Sequence, residues 1–143
     1  MSKFSRFMKT NKIVKENTTF PVTKSLVDEN GEPLQWTIRP LTTKENDDIR
    51  DECMKEVPVV GKPNMYRPKL DTSKYIAKMM CKCVVEPDLY DKELQDSYGV
   101  MTPEDLLKEM VDDPGEYQAF MAFVQEFNGF NTTFDDKVTE AKN

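Results

Sequence analysis

Between residues 71 and 129 the sequence places helix starts and stops so close together that only short helices fit. Asp71, Thr72 and Ser73 can each cap a helix start. Pro87 stops that helix, because the residue before a proline disfavours the α conformation. Thr102-Pro103-Glu104-Asp105 then supplies a cap, a proline at the first helical position and acids in the first turn. Asp113-Pro114-Gly115-Glu116 repeats the device with cap-to-Glu spacing, and Gly129 is placed to end the last helix. A compact link at residues 88–99 separates the first helix from the other two, with Leu89, Leu94 and Tyr98 as its contacts with the body.

The apolar residues fit these limits. Residues 75–85 are almost all apolar apart from lysine, which makes the first helix central. Leu106, Leu107, Met110 and Val111 form the buried stripe of the second. Tyr117, Phe120, Met121, Val124 and Asn128 share one face of the third. Phe120 and Phe123 belong to the core. Phe127 and Phe130 widen the apolar surface beyond one stripe, as either a thick core or an exposed contact patch.

The first half reads differently. Val22 to Val27, the turn formers Asp28-Glu29-Asn30-Gly31-Glu32-Pro33, and the alternating Leu34, Trp36 and Ile38 predict a β-hairpin over residues 20–41. Trp36 anchors the core between sheet and helices. Thr42 with Glu45 opens a mostly charged surface helix at about residues 43–55, touching the body through Ile49, Cys53 and Met54. Residues 57–70 hold Pro58, Gly61, Pro63 and Pro68, which forbid a helix and leave an irregular hairpin or loop. Met65 and Tyr66 there either cover the core or face a partner. The fold expected is α+β, with one or more small N-terminal antiparallel hairpins packed on a mostly helical C-terminal part. The organisation expected is a basic N-terminal arm at 1–19, a single α+β domain at 20–130 and a polar, flexible tail at 131–143.

A chain of 143 residues, 38% hydrophobic and 32% charged, suits one soluble domain. It has no apolar run long enough to span a bilayer and no secretory signal pattern. There is no histidine, which excludes Ser-His and Cys-His nucleophile pairs and His-containing metal sites. Neither GxxxxGK nor GxGxxG occurs. The three cysteines suit reduced thiols in a cytoplasm. Cys81 and Cys83 sit two apart on one helix and diverge by about 200°, so they cannot hold one ion together. They read as buried packing. The reading is of a protein without enzyme activity, cofactor or metal.

Charge is unevenly spread. Residues 1–19 carry a net +4, residues 57–82 a net +5, and residues 86–116 a net −9. Such polarity suits a complementary protein partner or self-association as a homo-oligomer, not free nucleic acid as the main ligand. Within the arm, Phe4, Phe7 and Met8 follow the i, i+3, i+4 spacing of a short amphipathic helix. Its aromatics either dock on the body or recruit a partner. Lys74, Lys78 and Lys82 form a ridge spaced by four on the central helix. That ridge is either a solvent face or the counterpart of an acidic surface, in this chain or in a partner. The candidate partner-binding residues are therefore Lys74, Lys78, Lys82, Phe127, Phe130, Phe4 and Phe7.

One ordered series of motifs resembles a known family. VEPDL (85–89), ELQDSYGV (93–100), PEDLL (103–107) and PGEY (114–117) are similar to the XkdN-like tail assembly chaperones of phages and defective prophages of Gram-positive bacteria. Upstream, DENGEP (28–33), LQWTIRPLT (34–42), IRDEC (49–53) and KYIAK (74–78) resemble the same family. The resemblance covers residues 22–130, and order and spacing agree along it. It implies a non-enzymatic protein that binds the tape measure protein, holds its apolar helices soluble and brings tail tube protein to that complex. It also implies action in the bacterial host cytoplasm and absence from the mature virion; no membrane partner is expected, because no apolar run is long enough to span a bilayer. The alternative is a tail structural or tail-completion protein retained in the virion.

Overall fold

The computed structural model describes residues 2–130. The tail expected at residues 131–143 lies outside the described residues. The arm forms no α-helix. Ser5–Phe7 and Lys9–Asn11 are separate 3₁₀ turns, and Met8 between them is extended. The arm carries five cations and one carboxylate, so it lacks the opposite-charge pairs that support a short helix. Its aromatics do not dock on the body: Phe4 and Phe7 are exposed and meet each other edge-on at 6.1 Å.

The first strand comes earlier than the spacing predicts. β1 is Thr18–Phe20, not residues 22–27, and pairs antiparallel with β2, Trp36–Ile38. Beyond Pro21 two backbone donors are claimed by side chains, and the run pairs across its turn only at Leu26 and Val27. The Lys24 amide donates to Glu116 at 2.8 Å, and the Ser25 amide to the Thr23 hydroxyl at 3.2 Å. The turn expected at residues 28–33 does form. Asp28 Oδ1 accepts from the Asn30 and Glu32 amides, and Gly31 takes a φ of +79° that favours glycine. Trp36 and Ile38 are buried as the alternation requires, whereas Leu34 precedes the strand and stays exposed.

α1 is Thr43–Glu52. The Thr42 hydroxyl accepts from the Glu45 amide while the Glu45 carboxylate accepts from the Thr42 amide, a complete capping box. Ile49 and the following Cys53 face inward, and Met54 is exposed. β3, Met54–Pro58, and β4, Tyr66–Leu70, form a separate two-stranded antiparallel ribbon. The Asp71 amide closes its base by donating to the Cys53 carbonyl at 2.8 Å.

α2, Thr72–Cys83, starts on the Asp71 cap. It stops two residues short of the end its apolar run predicts. Val84–Glu86 leaves the helix as β5 and pairs antiparallel with β2, giving the sheet order β1-β2-β5. β-branched valines ahead of Pro87 favour extended backbone, and β2 offers an open edge to pair with. α3, Lys92–Ser97, α4, Pro103–Met110, and α5, Pro114–Phe127, begin on Asp91, Thr102 and Asp113. Each of these side chains accepts a backbone amide three residues on.

The core lies where sheet and helices meet. Trp36, Ile38, Met79, Met80, Cys81, Leu89, Leu106, Leu107, Phe120 and Val124 are almost wholly withdrawn from water. The Phe120 ring stacks on Phe20 at 5.9 Å and meets Trp36 edge-on at 6.1 Å. These contacts tie the N-terminal strands to the last helix. The fold is thus α+β, with antiparallel strands against a mostly helical second half.

Candidate partner-binding surface

The three thiols are placed for packing. Cys53, Cys81 and Cys83 are free and buried. Burial pushes the Cys81 thiol up to about 12 and the Cys83 thiol up to about 11. A protonated thiol shielded from water is a poor nucleophile. Among the described residues no group of three His, Cys, Asp or Glu side chains is placed to hold a metal ion. No helix among them is long and apolar enough to cross a membrane.

The lysine ridge divides into two kinds of residue. Lys78 reaches Glu104 on α4 at 3.3 Å and Glu52 at the end of α1 at 3.9 Å. Burial works against its charge, but the Glu104 hydrogen bond and the fields of both glutamates prevail, and its pKa is raised. Lys78 therefore meets the acidic segment of its own chain. Lys74 and Lys82 are exposed and in no ion pair among the described residues. The Lys82 carbonyl accepts from the Arg39 side chain at 3.1 Å. Arg39 in turn pairs with Glu45 and holds that carboxyl at about 2.

A Schellman-type turn places the last two candidates. Gly129 (φ +86°) lets its own amide reach the Glu126 carbonyl at 3.0 Å and the Phe130 amide reach the Gln125 carbonyl at 2.8 Å. Asn128 braces the turn: its Oδ1 accepts from the Leu41 amide at 2.7 Å, and its Nδ2 donates to the Val124 carbonyl at 2.9 Å. Phe127 is half-buried. Its ring continues a stack from Phe20 through Phe123 to Phe127, with centroids 4.2 Å and 5.9 Å apart. The Lys15 ammonium lies 4.1 Å from the Phe127 centroid and also donates to the Phe127 carbonyl. Phe130 is half exposed, 49%. It lines a cavity of about 330 Å³ with Leu70, Tyr75, Ile76 and Met79, and Arg50 is at the same cavity.

The structure thus brings Phe127 and Phe130 to one end of α5 and leaves Phe4 and Phe7 out on the arm. Reasoning from the sequence missed Lys15, which ties the arm to α5. It also missed the cavity beside Phe130. Its signal was present in Tyr75, Ile76 and Met79, which share a flank of α2, but Leu70 and Phe130 join them only through the ribbon base and the helix-ending turn.

A family model for the phage XkdN-like tail assembly chaperone protein matches residues 4–142. The chain is similar to the phage-like element PBSX protein XkdN of Bacillus subtilis (strain 168). The two are 28% identical over 139 residues, covering 97% of this chain and 93% of that protein. It is also similar to the protein YqbN of the same strain, 27% identical over 139 residues, covering 97% and 92%. The crystal structure of YqbN matches with a TM-score of 0.74 at 24% identity, over 90% of this chain and 98% of that one, which shows the shared fold.

Proposed function

The chain belongs to the phage XkdN-like tail assembly chaperone family, and from that premise we propose that it binds a tape measure protein during tail assembly. In this reading it keeps the apolar helices of its client soluble and helps tail tube protein assemble around it. It acts in the host cytoplasm and is absent from the finished tail. The work is binding, with no catalytic step.

The observation that carries this reading is the apolar cavity beside Phe130. Tyr75, Ile76, Met79 and Leu70 offer an apolar lining, and Arg50 offers a charge. A groove of this composition suits the apolar face of an amphipathic helix with an acidic flank. Phe127, stacked on Phe123 and covered by Lys15, lies at the same end of α5. Phe4 and Phe7 on the arm, with Lys74 and Lys82 on α2, add exposed anchors and positive charge. Co-purification tests the reading: a tagged chain should retain the tape measure protein of the same genome, and Phe130→Ala with Ile76→Ser should release it. A complex unchanged by that double substitution would move the binding site elsewhere.

The charge polarity also suits a structural or completion protein that stays in the virion. Mass spectrometry of purified tails separates the two readings. The chaperone reading requires the chain to be missing from them, whereas a structural subunit would be present in stoichiometric amount.

A further inference from the structure

The β3–β4 ribbon is an exposed projection. Val57 and Leu70 are its only strand residues that are even half-buried. A two-stranded hairpin alone is marginally stable in water. Strand alternation gives the ribbon two faces. One carries Met54 opposite Leu70, Glu56 opposite Pro68 and Pro58 opposite Tyr66. The other carries Lys55 opposite Lys69, with Arg67 opposite Val57. Like charges directly across a ladder destabilise it. Asp71 lies 3.9 Å from Lys55 and offsets part of that repulsion, but Arg67 and Lys69 have no ion pair among the described residues.

The same chain holds a surface of opposite character. Glu86, Asp88 and Glu93 are exposed, and none is in an ion pair among the described residues. Val85 is exposed in the same stretch, and its one cation, Lys92, is paired with Asp96. One face of the ribbon therefore presents positive charge, and the stretch from β5 to α3 presents unpaired negative charge. No ion pair links the two within the described residues.

We propose that the basic face of the β3–β4 ribbon docks on the acidic surface around Glu86, Asp88 and Glu93 of a second copy. The contact is heterologous, with ribbon and acidic surface on different sides of the interface. Each added copy therefore brings both a used and an unused surface, and the assembly closes as a ring or continues as a filament. Neither the Phe130 cavity nor the client takes part in this contact.

Sedimentation velocity on the purified full-length chain tests it without any substitution. At low ionic strength the weight-average mass should rise with protein concentration, and at molar salt it should return to that of the monomer. Arg67→Glu with Lys69→Glu should weaken association about a hundredfold or more, with an unchanged circular dichroism spectrum. Glu86→Lys with Glu93→Lys should do the same. An equimolar mixture of the two charge-reversed variants should recover association, because each reversed surface then meets its complement. A wild-type chain that stays monomeric at every concentration would overturn the proposal and leave the ribbon for an acidic partner of another kind. Association that persists through both reversals, or a mixture that fails to recover it, would also overturn the pairing.

Discussion

The Glu116 carboxylate in the first turn of α5 accepts the Thr23 hydroxyl at 2.7 Å and the Lys24 amide at 2.8 Å. Asp113 caps the helix by accepting the Glu116 amide, but the reciprocal half of the box is absent, because the Glu116 side chain holds the loop after β1 instead. Thr23 is the buried polar residue of the core region, 1% exposed. Glu116→Ala should therefore lower stability by about 1–2 kcal/mol in urea titration at neutral pH, with an unchanged slope. Glu116→Gln keeps an acceptor and should lose less.

Acid should act through the same kind of contact. Glu45 titrates at about 2 instead of its ordinary 4.5, chiefly because Arg39 donates to it. Glu116 is lowered as well, chiefly by Thr23. A carboxyl depressed in the folded state contributes stability that is complete above its unfolded value, near pH 4.5 for Glu45. That contribution falls away as pH drops from there through about 2. Stability followed by urea titration should decline across that window, and Glu45→Gln should flatten the decline. Parallel profiles for the two proteins would remove the Arg39–Glu45 pair from the account.

The capping contacts were legible because a cap is local. Thr42, Thr102 and Asp113 each bond an amide three residues ahead, and the residue types alone announce it; at α2 they left Asp71, Thr72 and Ser73 open, and Asp71 takes the role. The sheet was less legible. β1 is three residues long and is followed by a proline, and the longer run after Pro21 spends the Lys24 and Ser25 amides on Glu116 and Thr23. β5 continues the apolar run of α2 without a break, so only the presence of β2 beside Val84 and Glu86 decides where the helix ends. The partner-binding candidates fared in the same way. Exposure at Phe4 and Phe7 is set by what the arm fails to pack against, which spacing does not encode. Lys78 met Glu104 because α2 packs on α4, a relation between distant segments.

The lysine ridge now separates into two experiments. Lys78→Glu would place a third carboxylate against Glu52 and Glu104, and should cost about 1–2 kcal/mol of stability in thermal or urea unfolding. Lys74→Glu should leave stability unchanged and weaken capture of an acidic client, more at low salt than at high. Equal stability of the two variants would mean that Lys78 gains nothing from its glutamates.

The thiols provide a check on the core. Cys53, Cys81 and Cys83 should react with a disulfide reagent slowly in the native protein and completely once it is unfolded. Cys81→Ser exchanges a buried thiol for a hydroxyl and should destabilise the fold by about 1–3 kcal/mol in urea titration. Fast reaction of one thiol in the native state would place it at the surface.

The most direct measurement is the soluble fraction of a tape measure protein expressed with and without this chain. The account predicts that the client aggregates alone, becomes soluble when the chain is co-expressed, and aggregates again beside the Phe130→Ala, Ile76→Ser variant. An equal soluble fraction with and without the wild-type chain would contradict it.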